Sequence, residues 1–250
     1  MKLLNIDANP KTVKGQKQGY MTAVLYLAPW KLSGFQVCAM AELAGCIFDC
    51  LNTAGRGGMA RNDAETLTID GHTIKLNAIQ KARIARTRLF MLERDVFMGR
   101  LVHEIHAALR KADKLGLTLV VRLDGTSDIR WEDIEWCGKT IFEWFPDIQF
   151  YDYTKIPNRN VRHIPNYHLT YSFSARPEFR KYVDRAIQHY GQDINLAVVF
   201  KGKLPDTFMG RTVINGDESD LRFLDDKGVV VGLTAKGRAR TSNSGFSVAA

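Results

Sequence analysis

Three of the four cysteines in the 250-residue chain lie within one short segment, at Cys38, Cys46 and Cys50. Cysteine thiolates are soft ligands that bind zinc or the irons of iron–sulfur clusters, so this grouping indicates a metal site. The spacing is Cys-x7-Cys-x3-Cys. Three thiolates hold three irons of a [4Fe–4S] cluster and leave the fourth iron open to a small ligand. We therefore predict a [4Fe–4S] cluster on these cysteines.

Two other interpretations of the same cysteines stay open. A structural zinc site needs a fourth protein ligand, which Cys137, His163 or His168 would have to supply after folding. Buried cysteines without any metal are the other alternative, because Cys is among the most frequently buried residue types. The cysteines follow a predicted core strand and lead into a predicted short helix, and this placement favours the iron–sulfur interpretation.

Polar residues follow three of the predicted core strands. Because the carboxyl ends of parallel strands meet at one edge of a sheet, we expect these side chains to line one cavity together with the cysteines. Taken singly, each is also compatible with a capping or loop role. The candidate catalytic residues are Asp124, Asp128, Asp152 and Lys155, and the candidate cofactor-binding residues are Arg122, Thr126, Ser127 and Ser172.

Strands and helices must alternate along the chain to position these residues. Apolar runs typical of buried strands occur at residues 21–28, 117–123, 148–153, 167–172, 195–200, 212–214 and 229–233. Patterns typical of helices occur at residues 39–53, 77–115, 131–144 and 178–190, the second being one long helix or two joined near Gly99. This alternation predicts right-handed βαβ crossovers and a mostly parallel sheet.

The predicted fold is a single α/β domain over residues 1–250, whose sheet forms a complete or partial (β/α) barrel. Residues 66–76 alternate polar and apolar side chains around Asp70-Gly71 and predict a small hairpin insertion. Residues 1–20 are expected to form a basic N-terminal arm, and residues 238–250 a loosely held polar tail.

The balance of charges favours an anionic partner. The formal net charge is +8 and the pI is near 9.3, and basic surfaces attract nucleotides and nucleic acids. Lys14, Lys17, Arg83 and Arg86 are the candidate nucleic-acid contacts, although solvated surface positions explain them about as well. The sequence does not indicate an oligomeric state.

Cysteine usage and apolar runs bear on the cellular location. No apolar run approaches the roughly 20 residues of a membrane-spanning helix, so we expect no membrane partner. The N-terminal residues lack the apolar region of a signal peptide. Few, clustered cysteines do not suggest a secreted disulfide framework, and a reducing cytoplasm fits better.

The chain resembles, almost from end to end, the bacteriophage and prophage family known as gene product 88. The residues that carry the resemblance are Cys38, Cys46 and Cys50 with Gly55-Arg56, followed by blocks at residues 122–128, 151–155, 166–172, 216–217, 220–225 and 232–237. Several blocks in the same order make the resemblance specific. It implies a phage-encoded protein in the cytoplasm of a bacterial host, and it does not name an activity.

At a more distant level, a first strand followed by a three-cysteine loop looks like the radical S-adenosylmethionine enzymes. That resemblance implies an open iron that chelates S-adenosylmethionine as a second cofactor. Those enzymes usually have Cys-x3-Cys-x2-Cys, and the gaps in this chain are longer. The resemblance implies an enzyme of radical S-adenosylmethionine type, and the net charge favours an anionic nucleotide or nucleic acid as its substrate.

Two further hypotheses belong to other functional classes. In one, the protein is not an enzyme, and a cluster or zinc stabilises a fold that binds nucleic acid through its basic residues. In the other, Asp124, Asp128 and Asp152 hold metal ions in a nuclease. The nuclease is the least favoured, because it leaves the cysteines without a role.

Overall fold

The computed structural model describes residues 1–6 and 10–249. Its strands are β1 (Leu4–Ile6), β2 (Tyr20–Leu25), β3 (Thr66–Ile69), β4 (His72–Lys75), β5 (Thr118–Arg122), β6 (Glu135–Trp136), β7 (Lys139–Thr140), β8 (Gln149–Thr154), β9 (Tyr167–Ser172), β10 (Leu196–Lys201), β11 (Thr207–Phe208), β12 (Arg211–Asn215), β13 (Val230–Thr234) and β14 (Val248–Ala249). Its α-helices are α1 (Pro10–Gly15), α2 (Ala41–Ala44), α3 (Ala78–Leu92), α4 (Arg94–Leu115), α5 (Ile141–Trp144) and α6 (Arg180–Tyr190).

One mostly parallel sheet forms the centre of this mixed α/β fold. Its strand order is β1-β2-β5-β8-β9-β10-β13-β12-β11. Six neighbouring strands in this order are parallel and also follow one another along the chain: β2, β5, β8, β9, β10 and β13. The outer strands β1 and β11 are antiparallel to their neighbours. The prediction of a mostly parallel sheet is therefore confirmed.

The helices that cover this sheet lie on one of its faces. Alternate side chains of β5, β8 and β9, such as Val121, Phe150 and Leu169, pack against α4 in the main core. Tyr171 has the same orientation as Leu169 on β9, and it packs against α6 in a second core. We call this face the helical face. The opposite face carries Arg122, Tyr153 and other polar side chains and is called the polar face.

The polar face is covered by chain rather than by a long helix. Residues 216–225, which follow β12, pack across it, and Leu221 is buried against Val120 and Tyr151. At the amino end of this segment, the ammonium of Lys11 donates to the carbonyl of Gly216 at 2.8 Å. The segment therefore joins the region after β12 to the region before β2.

The predicted 77–115 helix is two helices, and they meet at Glu93 rather than near Gly99. Glu93 leaves the helical conformation with φ −134° and ψ 58°. Gly99 lies inside α4, where a Cβ atom would be 3.4 Å from the ring of Trp136. Gly99 therefore packs beside Trp136 inside one helix and is not the joint that the sequence suggested.

The predicted helix at residues 131–144 is instead a 3₁₀ turn at Trp131–Asp133, the two-stranded hairpin β6–β7 and the short helix α5. Cys137 and Gly138 both have positive φ, at 50° and 73°. This geometry produces a tight hairpin turn that interrupts any helix. The other predicted hairpin, β3–β4, is present with Asp70-Gly71 at its turn.

The two terminal segments also contain regular structure. Within residues 1–20, predicted as a basic arm, β1 pairs with β2 and α1 precedes a 3₁₀ turn. Within residues 238–249 of the predicted tail, β14 pairs with the end of β10, just beyond the two residues where β10 pairs with β9. Asp7, Ala8, Asn9 and Ala250 lie outside the described residues. No helix in the described parts of the chain is long and apolar enough to cross a membrane.

Candidate metal centre

The cysteine segment, residues 38–58, lies over the carboxyl ends of the central strands. Cys38 forms a parallel bridge with Asp128, and the amide of Asp128 donates to the carbonyl of Val37 at 2.9 Å. At the other side, the hydroxyl of Ser174 donates to the carbonyl of Ala44 at 2.7 Å. The segment therefore spans the ends of β5 and β9, as the strand positions predicted.

Tight turns replace most of the predicted 39–53 helix. Helix α2 covers only Ala41–Ala44, and two 3₁₀ turns follow at Leu51–Thr53 and Gly55–Gly58. Gly45 ends α2 with φ 67°, a left-handed conformation that favours glycine. A Cβ atom there would also be 2.6 Å from Arg176. This reversal turns Cys46 back toward Cys38.

All three cysteines line one small cavity, which we call the thiol pocket. Its volume is about 30 Å³, and nearly all of its wall is apolar. The lining residues are Pro29, Trp30, Leu32, Cys38, Ala41, Cys46, Ile47, Cys50, Asn52, Thr53 and His72. A cavity of this size has room for about two water molecules, so a four-iron cluster would bind here only with the cysteine segment displaced outward.

The three thiols share one electrostatic environment. Burial raises the pKa of Cys46 to about 11, and it raises the pKa of Cys38 and Cys50 as well. Charge on any one of the three thiols opposes ionisation of the others, while the ammonium of Lys155 favours the thiolates of Cys46 and Cys50. Binding of a metal would reverse this preference for neutral thiols, since metals bind the thiolate.

The cation beside the thiols is Lys155, one of the predicted catalytic residues. Its ammonium is buried and donates to the Ser172 hydroxyl at 2.8 Å, to the Ser172 carbonyl at 3.1 Å and to the Phe173 carbonyl at 3.2 Å. Burial lowers the pKa of Lys155, and the nearby thiols and Asp128 oppose that change. Lys155 and Ser172 are thus brought together, next to the cysteines.

The three predicted catalytic aspartates accept hydrogen bonds from the chain itself. Asp152 accepts the amides of Leu123 and Asp124 at 3.2 and 2.9 Å. Asp128 accepts the Thr154 hydroxyl and the Lys155 amide, both at 2.8 Å. These bonds order the loops after β5 and β8.

A fully buried arginine, Arg159, neutralises two of these aspartates. One of its nitrogens lies 3.8 Å from Asp124 and 3.7 Å from Asp128. Its other nitrogens bind Glu132, with the closest contact at 2.6 Å. Burial followed by repulsion from Asp152 raises the pKa of Asp124 well above its ordinary range, and burial raises the pKa of Asp152 to about 6.

The predicted cofactor-binding residues do not converge on one point. Arg122 forms a 2.8 Å ion pair with Asp220 on the polar face, with Tyr153 beside it, whereas Asp152 points to the helical face. The hydroxyl of Thr126 donates to the carbonyl of Leu27 at 2.6 Å, and that of Ser127 donates to Asp124 at 2.7 Å. These two hydroxyls hold the loop after β5 against its neighbours.

The four candidate nucleic-acid contacts fall into two pairs. Lys14 and Lys17 are exposed, before β2. Arg83 is buried and donates to the carbonyl and side-chain oxygens of Asn52, at 3.1 and 2.5 Å. Arg86 donates to the backbone carbonyl of Lys2 at 2.8 Å. The two arginines therefore hold chain segments in place, and Arg83 supports the cysteine segment next to Cys50.

Sequence reasoning missed His72, the imidazole that lines the thiol pocket. It is 2% exposed, its Nδ1 atom has no hydrogen-bond partner among the described residues, and the ring of Phe48 meets it edge-on. Burial and then the charge of Arg238 lower the pKa of His72, which keeps the ring neutral. No local motif marks this histidine, since the β3–β4 hairpin brings it to the cysteines only in the folded chain.

The other histidines and the fourth cysteine lie elsewhere. Cys137 is exposed at the β6–β7 turn, His163 is exposed, and His168 lies on the polar face, where burial lowers its pKa to about 4. Within residues 1–6 and 10–249, no three Cys, His, Asp or Glu side chains are arranged to hold one metal ion.

The model for the gene product 88 family matches residues 2–249. The chain belongs to the gene product 88 family. No curated protein and no solved structure is significantly similar to it. The family match covers the cysteine segment and every strand of the central sheet, so the resemblance predicted from the residue blocks is confirmed.

Proposed function

We propose that this protein is a phage-encoded iron–sulfur protein, with a [4Fe–4S] cluster held by Cys38, Cys46 and Cys50. The observation that carries the proposal is that three thiols line a single pocket with an almost wholly apolar wall. Exclusion of water and a set of three soft ligands suit an iron–sulfur cluster in ligand chemistry, and binding would have to draw the three thiols from their present arrangement toward the cluster. The buried ammonium of Lys155 also offsets negative charge on bound thiolates.

The reaction that fits this arrangement best is that of a radical S-adenosylmethionine-like enzyme. Three protein thiolates leave one iron of the cluster open, and the open iron would bind the amine and carboxylate of the cofactor. The parallel strands follow one another in chain order with helices on one face, which is the arrangement of a (β/α) barrel rather than of a doubly wound sheet. We propose that the sheet curls into such a complete or partial barrel.

In this proposal the chain's own groups have distinct roles. The three thiolates bind the cluster, and Lys155 orders Ser172 and stabilises the thiolates. Arg122 and Tyr153 lie on the polar face, where the ion pair of Arg122 with Asp220 holds residues 216–225 against the sheet. An anionic nucleotide or nucleic acid is the proposed substrate class, because the net charge is +8.

Metal analysis of anaerobically prepared protein tests the cluster. We expect about four irons and four sulfides per chain and a broad absorption near 400 nm. Cys46→Ser should lose most of the iron, whereas the matched variant Cys137→Ser, at an exposed cysteine outside the pocket, should retain it. Iron-free protein after anaerobic reconstitution, or equal iron in both variants, would refute the proposal.

The open iron is tested separately. Adding S-adenosylmethionine to the reduced protein should change the electron paramagnetic resonance spectrum of the cluster, since the cofactor would become a ligand. An unchanged spectrum in protein that contains a full cluster would rule out the enzyme while leaving the iron–sulfur proposal intact.

One observation favours a second candidate, a non-catalytic protein whose metal stabilises the fold. His72 lines the same pocket, is neutral and has an unpartnered Nδ1. An imidazole there would complete a Cys3His set and close the site to other ligands. In that case the exposed Lys14 and Lys17 would bind nucleic acid, and the protein would lack cofactor cleavage.

Two measurements separate this candidate from the enzyme. In His72→Ala, a zinc-bound protein should lose its zinc, and a protein with a reduced iron–sulfur cluster should lose the ¹⁵N-histidine coupling in its pulsed electron paramagnetic resonance spectrum. Binding to single-stranded DNA should weaken steeply with salt and weaken further in the Lys14→Ala/Lys17→Ala double variant. If His72→Ala leaves both metal content and spectrum unchanged and the binding does not depend on salt, the second candidate fails.

A further inference from the structure

A second cavity lies beside the thiol pocket, on the side of the β3–β4 hairpin. We call it the Gln80 cavity. Its volume is about 160 Å³, and it is lined by Thr53, Gly57, Gly58, Ile74, Lys75, Gln80 and Arg238. Thr53 lines both cavities, so the two are neighbours.

The shared wall depends on two glycines. A Cβ atom at Gly57 would be 2.5 Å from the carbonyl oxygen of Asn52, and one at Gly58 would meet the carbonyl oxygen of Thr53. Because only glycine permits this close approach, residues 57–58 lie directly against residues 52–53, next to Cys50. The Gln80 cavity is therefore built onto the candidate metal centre.

Two cations of the cavity have no anionic partner. Lys75 and Arg238 are exposed, and their hydrogen bonds are long contacts with backbone carbonyls, at 3.4 Å to Asn62 and 3.5 Å to Thr73. Neither forms an ion pair within the described residues. The field of Arg238 reaches His72, in the wall of the thiol pocket. Together the two cations favour an anion at the cavity.

A buried acceptor completes the cavity. Gln80 is 1% exposed, and its amide nitrogen donates to the carbonyls of Asn52 and Gly57 at 2.7 and 2.8 Å, which fixes the orientation of the amide. Its Oε1 atom is buried and has no partner among the described residues. An unpaired buried acceptor is costly, so a ligand with an N–H or O–H group gains by reaching it.

The helix that carries Gln80 adds to the preference for an anion. Gln80 is in the first turn of α3, a 15-residue helix capped by the side chain of Asn77. The amino end of a helix of this length has a partial positive charge. This charge and the two unpaired cations act in the same direction.

We propose that the Gln80 cavity binds a phosphate ester that also carries a hydroxyl or N–H group, such as a sugar phosphate or a nucleotide. Arg238 and Lys75 would bind the phosphate, and Gln80 would accept the second group. The role of this ligand as substrate rests on the proposed function, whereas its binding does not require a metal.

Calorimetry on the metal-free full chain, at pH 8 and low ionic strength, tests the binding directly. Ribose 5-phosphate and adenosine 5′-monophosphate should bind saturably, and ribose without phosphate should not. Lys75→Ala and Arg238→Ala should each weaken binding by about tenfold or more, since each removes a charged hydrogen bond. Lys114→Ala, an exposed lysine near the end of α4, should bind as the wild type does.

Methyl phosphate tests the part assigned to Gln80. As a dianion it has no donor, so it should bind about tenfold more weakly than ribose 5-phosphate. Tighter binding of the nucleotide than of the sugar phosphate would identify a nucleotide site, and equal binding would identify the sugar phosphate as the recognised part. No saturable binding up to about 10 mM, or wild-type affinity in both cavity variants, would overturn the proposal while leaving the iron analysis of Cys46→Ser unaffected.

Discussion

Replacing Arg159 with methionine should reveal how strongly the buried charges hold the carboxyl-end loops together. The guanidinium is 0% exposed, and it binds Glu132, whose side chain is 2% exposed, at 2.6 Å. It also lies within 4 Å of Asp124 and Asp128. Methionine fills similar volume but leaves these carboxylates without a cation.

The expected loss follows from the burial of the pair. Removing one partner of a buried ion pair typically costs 3–5 kcal/mol, because the remaining charge is uncompensated. We therefore expect Arg159→Met to lower the free energy of unfolding by about 4 kcal/mol at pH 7. Arg159→Lys keeps the charge but loses the two-pronged contact with Glu132, so its loss should be smaller.

The destabilisation caused by Arg159→Met should depend on pH, and the pKa values of the nearby carboxyl groups fix the direction of that dependence. Loss of Arg159 raises the pKa of Asp124 and Asp128 in the folded protein beyond the raised values they already have. A carboxyl group with a raised folded pKa stabilises the fold at low pH, and this contribution is lost as the pH rises through the folded value. The deficit of Arg159→Met should therefore be smaller at pH 5 than at pH 7.

Urea unfolding at the two pH values measures both effects. Arg88→Met, at an exposed position of α3, is the control and should change the free energy of unfolding by less than about 0.5 kcal/mol. A loss below about 1 kcal/mol for Arg159→Met at pH 7, or a deficit that grows in acid, would show that Arg159 does not neutralise these carboxylates.

Three further predictions concern the same edge of the sheet. Lys155→Met should raise the pKa of Cys46 further above about 11. Alkylation of Cys46 in the metal-free protein at pH 8 should therefore slow, and an unchanged rate would contradict the role assigned to the Lys155 ammonium. Gly58→Ala should push the chain away from Thr53 and lower the free energy of unfolding by about 1–3 kcal/mol, and it should also reduce iron loading. Unfolding curves identical to those of the wild type would argue against the close approach of Gly58 to Thr53. The pKa of Asp152 is raised from 3.8 to about 6, so the stability advantage of the wild type over Asp152→Asn should shrink by about 2.4 kcal/mol between pH 4 and pH 7 in urea titrations. A constant difference would place Asp152 in a less buried environment.

Much of the sheet follows from local sequence patterns. A buried parallel strand is a short apolar run, because both of its faces are covered, and β2, β5 and β10 have that form. Patterns with more than one structural solution were harder to interpret. Residues 131–144 contain enough apolar residues for a helix, yet the positive φ values of Cys137 and Gly138 produce a hairpin that only the folded context selects.

Part of the candidate site could also be predicted from the sequence. The cysteines, Lys155 and Ser172 were found because their positions after strands place them at one edge. The sequence patterns did not predict the face of the sheet on which each side chain lies. Arg122 and Asp152, expected in one cavity, occupy opposite faces of the sheet. Arg159 and His72 were missed because their partners are distant in sequence, and no spacing rule connects a hairpin histidine with cysteines that precede it.

The pairing of β14 with β10 has a consequence for the order of events during synthesis. Ser244, just before β14, donates to Asp49 in the cysteine segment across 195 positions of sequence. The ribosome therefore makes all three cysteines long before it makes Ser244, which holds Asp49 beside Cys50. Until then the residue next to Cys50 lacks this contact. Residues 244–249 therefore join the end of β10 and hold the cysteine segment only when synthesis of the sheet is complete.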